Sequence, residues 1–146
     1  MLLLLAGFGM IALTVAIHTL GATLWLKYTG RRLKRLEQEK KLPHLFTIIS
    51  TTATVYLSLH LLEAFLWALL FMQLPSQAGL DNIHEAFYFS MVTFTTLGYG
   101  DVTLSREWYV LAGMEGMVGI IVFGLSTAML FAIIQKSWKL KHSKSD

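Results

Sequence analysis

Three long stretches of this chain carry almost no charged residues, and they restrict its fold more than any other feature. They cover residues 1–26, about 45–74 and about 108–134. A helix of about 20 apolar residues crosses the ~30 Å hydrocarbon core of a bilayer, and each stretch is longer than that. We therefore predict an all-α membrane protein with three transmembrane helices. A cleaved signal peptide is the alternative for residues 1–26, but its apolar core is usually only about 7–15 residues long.

The composition also favours a membrane protein. The chain is 55% hydrophobic and only 14% charged, which is unusual for a soluble domain. It lacks cysteine, so neither disulfides nor thiolate metal sites can form. The basic residues flank the apolar stretches, and we therefore expect membrane lipids and not nucleic acid as partners.

The distribution of Lys and Arg predicts the orientation in the membrane. Seven lie in residues 27–44, four lie after residue 134, and only Arg106 lies between the second and third stretches. Cytoplasmic loops are enriched in Lys and Arg. We therefore expect a multi-pass protein of the cell (inner) membrane. Its N-terminus lies outside, and its basic linker (27–44) and its tail (137–146) are cytoplasmic.

The connection between the second and third stretches contains a short apolar segment. Asp81 or Asn82 can cap a helix N-terminus, and Glu85 is favourable in the first turn. Residues 84–95 then form about three turns, too few to cross the bilayer. Irregular backbone at membrane depth is tolerated only inside protein or along a water-filled cavity. We therefore predict a re-entrant helix followed by a loop that lines a pore.

The residues of that loop are Thr96, Leu97, Gly98, Tyr99, Gly100 and Asp101. They resemble the potassium channel signature, T-x-G-Y-G followed by Asp. The chain is similar to small prokaryotic potassium channels of the two-transmembrane pore-domain family over about residues 45–136, and it has an extra N-terminal transmembrane helix. The resemblance implies the following pore domain: an outer helix (45–74), a pore helix with filter loop (82–101) and an inner helix (108–136).

The resemblance implies a potassium-selective channel subunit and no enzymatic activity. Carbonyl oxygens of Thr96, Leu97, Gly98 and Tyr99, with the Thr96 hydroxyl, would replace the hydration shell of K⁺. Gly98 and Gly100 allow the positive φ that alternating conformations require, and Tyr99 would brace the filter against neighbouring helices. One filter segment per chain implies a homotetramer. K⁺ is the permeant ion, and no cofactor is expected.

Other positions support the loop or depart from the family. Some relatives carry a Glu that pairs with the Asp after the filter, but Val92 occupies that position here. We expect the Tyr88 hydroxyl to be the partner of Asp101 instead. Glu115 should face the pore helix and supply hydrogen bonding behind the filter; the alternative is a residue near the surface, satisfied by water.

The third stretch has the features of an inner helix. Gly119 matches the hinge glycine of the family, although it could serve only for packing. The residues predicted to face the pore are Ile120, Phe123, Thr127 and Phe131. A ring of four copies of Phe131 could form a hydrophobic gate that closes by dewetting.

Besides Glu115, the ionisable residues His18, His60 and Glu63 lie within the apolar stretches. Such residues are costly in a membrane and often functional. We favour polar contacts between helices, with a proton sensor as the alternative. A metal site lacks a third well-spaced ligand in the sequence.

Two other functions remain open. A non-selective cation channel is one, although Tyr99 argues against it, because relatives that conduct sodium well usually alter that position or the next glycine. A non-conducting membrane subunit that only assembles with partners is the other.

Overall fold

The computed structural model describes residues 2–39, 41, 44–75 and 79–142, and these contain helices but no strand. The helices are α1 (Leu2–Gln38), α2 (Leu45–Phe71), α3 (Ile83–Phe94) and α4 (Tyr109–His142), with a 3₁₀ turn at Arg106–Trp108. Three helices are long and apolar enough to cross a membrane: α1, α2 and α4. The all-α membrane fold predicted from the sequence is confirmed.

Helix α1 is longer than predicted, since it continues beyond residue 26 to Gln38. The extension is rich in Lys, Arg and Leu, which are good helix formers. It also packs against the other helices, because Leu33 is fully buried in a cluster with Ile48 of α2 and Ile133 of α4. The 37 residues of α1 span about 55 Å, so the basic part extends beyond the ~30 Å hydrocarbon core.

The other two long helices also end away from the predicted residues. Helix α2 ends at Phe71 instead of residue 74, in a turn where the N–H of Leu74 donates to the Phe71 carbonyl. Pro75 follows this turn, and a proline disfavours helical backbone in the residue before it. Helix α4 continues past residue 136 to His142, so most of the predicted tail is helical.

Helix α3 begins where the sequence offered two possible caps, and Asn82 is the one used. Its side chain accepts hydrogen bonds from the N–H groups of His84 and Glu85, both at 3.0 Å. Glu85 in turn accepts from the N–H of Asp81 at 3.0 Å. These bonds satisfy donors that a helix N-terminus leaves free, and they fix the start of α3.

The extra helix α1 is attached to the rest of the bundle by polar contacts as well as by packing. Trp67 of α2 is fully buried, and its Nε1 donates to Thr14 of α1 at 3.0 Å. Trp25 of α1 donates likewise to Thr52 of α2 at 3.1 Å. Small and polar residues are the usual means by which helices associate within membranes. Helix α3 packs between α2 and α4, and this places the loop that follows it.

Candidate functional site

The loop after α3 is attached to the end of that helix by backbone hydrogen bonds. The N–H of Thr96 donates to the Thr93 carbonyl at 2.9 Å, and the N–H of Gly98 donates to the Val92 carbonyl at 3.0 Å. These carbonyls belong to the last turn of α3 and lack partners within the helix. The loop therefore returns against the helix end and does not extend freely.

Positive φ angles occur at every second residue of this loop. They are 59° at Thr96, 52° at Gly98 and 77° at Gly100. Glycine tolerates this region without steric cost, but a β-branched residue there is an outlier that costs about 1–3 kcal/mol. The sequence predicted the two glycines and missed Thr96, because nothing in its residue type indicates such a conformation. Strain of this kind concentrates at functional sites.

Large apolar side chains of the loop and of α4 are exposed in the single chain. Tyr99 is 67% exposed and Leu97 is 56% exposed. On α4, Ile120 is 62% exposed and Phe131 is 59% exposed. Several exposed large apolar side chains of this kind indicate contact with other chains or with lipid. Any bracing of Tyr99 must therefore come mainly from outside this chain.

Tyr88 and Asp101 form the hydrogen bond that was predicted from the sequence. The Tyr88 hydroxyl donates to Oδ2 of Asp101 at 2.7 Å. This hydrogen bond raises the pKa of Tyr88 above its ordinary value and lowers the pKa of Asp101 below its own. The bond ties the residue after the loop to the middle of α3. Val92 is buried and contributes only its backbone here.

Glu115 lies on the buried side of α4, against α3. It is fully buried, which rules out the alternative of a carboxyl near the surface satisfied by water. The hydroxyl of Ser90 contacts Oε1 of Glu115 and also lies 2.6 Å from the Ala64 carbonyl of α2. A hydroxyl has one proton, so it cannot donate fully to both acceptors. If Glu115 were protonated, it would donate to the Ser90 hydroxyl. The hydroxyl would then donate its own proton to the Ala64 carbonyl.

The contact with Ser90 joins α2, α3 and α4 behind the loop, and Ser90 is not among the residues predicted from the sequence. Gly116, the next residue on α4, faces Thr96: a Cβ at Gly116 would lie 3.9 Å from the Thr96 methyl. Glu115 therefore lies close behind the start of the loop. A lone serine in an apolar helix gives no sequence signal, although its position on the face toward Glu115 could have suggested it.

Gly119 is buried at the closest approach of α4 to α3. A Cβ there would overlap the carbonyl oxygen of Phe94, so no larger residue fits without movement of the backbone. Close packing thus explains the glycine, and Gly119 does not lie on the exposed face of α4. Its role as a hinge stays a prediction.

The four residues predicted to face a pore differ in how far their side chains are exposed in the single chain. Ile120, Thr127 and Phe131 are exposed, but Phe123 is half-buried. Its ring stacks on His60 with centroids 4.0 Å apart. Three residues turn a helix by about 300°, which places Phe123 about 60° from Ile120, toward α2. Phe123 is thus partly covered by α2 within the single chain, and its place along a pore stays a prediction.

His18, His60 and Glu63 meet in one cluster with a fourth residue, Ser126 of α4. Oε1 of Glu63 lies 2.9 Å from Nδ1 of His18, and Oε2 of Glu63 lies 3.2 Å from Nδ1 of His60. Ser126 Oγ lies 3.1 Å from Nε2 of His18 and 3.0 Å from Nε2 of His60. We call these four side chains the buried ring. It joins α1, α2 and α4.

The buried ring can satisfy all its hydrogen bonds without a net charge. Four hydrogen bonds need four protons, and a neutral Glu63, two neutral imidazoles and the Ser126 hydroxyl supply four. An ionised Glu63 with one imidazolium supplies the same number. The ligand atoms of His18, His60 and Glu63 lie within 4.8 Å of one another, as a metal site would require. However, every imidazole nitrogen already has a hydrogen-bond partner, and a cation would have to displace protons from the ring.

Comparison with known proteins identifies the family. The sequence model of a family described as "Ion channel" matches residues 44–136, which is more than half of the chain. The match covers α2, α3, the loop and most of α4, and α1 lies outside it. Searches of curated proteins and of solved structures returned no match. The strained loop between two membrane helices thus lies within the matched residues, and the chain belongs to this ion channel family.

Proposed function

We propose that four copies of this chain assemble around a central axis into a potassium-selective channel, with residues 96–100 of each copy as the filter. The observation that carries the proposal is the alternation of positive φ at Thr96, Gly98 and Gly100. Alternating backbone conformation allows successive carbonyl groups to point to the same side of an extended segment. Stacked carbonyl rings are what a dehydrated K⁺ needs in place of water.

The arrangement of the other residues supports the same proposal. A single filter segment per chain cannot surround an ion, and closed cyclic symmetry supplies the remaining copies. The exposed apolar side chains of the loop and α4 would be covered by neighbouring copies or would line the pore. The C-terminal end of α3 lies directly before the filter, and its partial negative charge favours a cation. In this role α3 is a re-entrant pore helix, and Tyr88, Asp101 and Glu115 support the filter.

The proposed orientation follows from the basic residues. The extended end of α1 and the end of α4 carry most of them. These two helix ends would lie on the cytoplasmic side of the cell (inner) membrane. The N-terminus and the filter entrance would then face outward. On α4, the exposed residues Ile120, Thr127 and Phe131 would line the pore, and Phe131 is the candidate for a hydrophobic gate.

Ion flux into liposomes that contain only the purified protein tests the proposal. K⁺ flux should be far faster than Na⁺ flux in otherwise identical vesicles. Equal rates for the two ions would instead identify a non-selective cation channel. Protein that forms tetramers but conducts neither ion would identify an assembly subunit.

The hydrogen bond between Tyr88 and Asp101 leads us to expect that K⁺ flux depends on the external pH. A lowered pKa means that Asp101 stays ionised until the pH falls through that low value. The Tyr88 hydrogen bond is the main cause of the lowering, so Tyr88→Phe should raise the pKa and let Asp101 take up a proton at a higher pH. Because an ionised Asp101 would attract K⁺, K⁺ flux should decline at a higher external pH in Tyr88→Phe than in the wild type.

Tyr109→Phe is the matched control for this experiment. Tyr109 is exposed at the start of α4, and its substitution by phenylalanine removes the same hydroxyl group. Its pH profile should overlay that of the wild type. Identical profiles for Tyr88→Phe and Tyr109→Phe would show that the hydrogen bond has no influence on permeation.

A further inference from the structure

A cleft lies between α1 and α4 where both helices become basic. Its volume is about 620 Å³, and the residues that line it are Lys27, Gly30, Arg31, Lys34, Glu37 and Lys136. Lys136 of α4 extends across to α1, since its Nζ lies 3.9 Å from the position of a Cβ on Gly30. A single small group in the cleft can therefore contact both helices.

The cleft has an excess of positive charge. Four of its residues are cations and one, Glu37, is an acid. The nearby acid Glu39 is already paired with Arg35 at 3.3 Å and with Lys41 at 3.0 Å. Among the described residues, no carboxylate lies within salt-bridge distance of any of the four cleft cations. An anion is the natural ligand of such a site.

The surface above the cleft is apolar and exposed. Leu20 and Leu24 are 62% and 56% exposed, and they precede Lys27, Arg31 and Lys34 at spacings of four, three, four and three residues. Residues at these spacings share one face of a helix. One face of α1 therefore changes from exposed leucine to lysine and arginine at the level where the apolar span ends.

We propose that this cleft binds the phosphate of an anionic phospholipid, whose acyl chains lie along the exposed leucines of α1. Basic pockets between transmembrane helices are suited to acidic headgroups. The apolar face favours a lipid over a soluble phosphate, because acyl chains would pack against exposed leucines that a free anion would not contact. Three of the four cations belong to α1, outside residues 44–136, so the site depends on the extra helix. The bound headgroup links α1 to the end of α4.

Native mass spectrometry of the purified, assembled protein tests this site independently of ion conduction. The probes are phosphatidylglycerol and phosphatidylcholine with the same acyl chains. The test variant is the double substitution Arg31→Gln/Lys136→Gln. The control is Arg35→Gln/Lys139→Gln, which removes one charge from each of the same two helices outside the cleft. Melting temperatures of both variants establish that they remain folded.

The wild type should retain phosphatidylglycerol in preference to phosphatidylcholine. Each lost cation should weaken that binding about fivefold, so the cleft variant should bind about 25-fold more weakly. The control variant should stay close to the wild type. Equal losses in the two variants would show diffuse surface attraction and overturn the proposal. Displacement of the lipid by millimolar inorganic phosphate would also overturn it, because the ligand would then be a soluble anion.

Discussion

Alanine in place of Gly98 is expected to abolish K⁺ flux through the reconstituted protein, and alanine in place of Gly100 should do the same. The φ angles at these residues are 52° and 77°, where an L-residue with a Cβ pays about 1–2 kcal/mol. In the proposed tetramer all four copies carry this cost, so about 4–8 kcal/mol opposes the proposed conducting conformation. Apart from the two adjacent residues, no described part of the chain lies within 4 Å of a Cβ at either site. The expected loss is therefore conformational and does not come from a clash within the chain.

Gly9→Ala is the matched control for these substitutions. Gly9 lies in α1, outside the family match, with helical backbone and nothing within 4 Å of an added Cβ. Its flux should equal that of the wild type, and helix propensity favours alanine by about 1 kcal/mol. Size-exclusion chromatography should show all variants as the same oligomer. If Gly98→Ala keeps both its K⁺ flux and its preference over Na⁺, the loop is not the filter.

The fold could be predicted from the sequence because uncharged stretches of this length have few other solutions. The helix ends could not, since they depend on packing. The continuation of α1 to Gln38 follows from burial of Leu33 against α4, and no local signal in residues 27–38 requires it. The end of α2 at Phe71 depends on turn hydrogen bonds before Pro75.

The candidate site was predictable where charge or helix geometry limited the choices. Replacement of the expected acid by Val92 left Tyr88 as a partner for Asp101, and helix geometry directed Glu115 toward α3. Ser90 and Ser126 were missed, because serine in an apolar helix usually bonds to its own backbone and marks no site. Their roles become visible only when three helices are placed together.

Replacing Glu63 with alanine is expected to destabilise the protein by about 3 kcal/mol. The substitution leaves Nδ1 of both His18 and His60 without a partner at fully or nearly fully buried positions. Each buried unsatisfied polar atom costs about 1–3 kcal/mol, and removal of one member of a buried pair costs about 3–5 kcal/mol. Polar contacts between membrane helices are on average weaker, about 0.6 kcal/mol each, which places the expectation at the lower end. Thermal unfolding followed by tryptophan fluorescence measures the loss, since Trp67 is fully buried beside α1.

Glu63→Gln separates hydrogen bonding from charge in the same measurement. The amide can donate one of its two N–H groups to one imidazole and accept at its oxygen from the other, so suitable tautomers again complete the four bonds of the buried ring, and only the second N–H is left without a ring partner. Most of the stability should then remain, whereas Glu107→Ala, at an exposed residue before α4, should change it by no more than about 0.5 kcal/mol. A loss in Glu63→Gln as large as in Glu63→Ala would mean that the ring needs an ionised carboxylate. A loss in Glu63→Ala no larger than in Glu107→Ala would mean that the ring does not hold α1 against the channel domain, and that packing of α1 on α4 suffices.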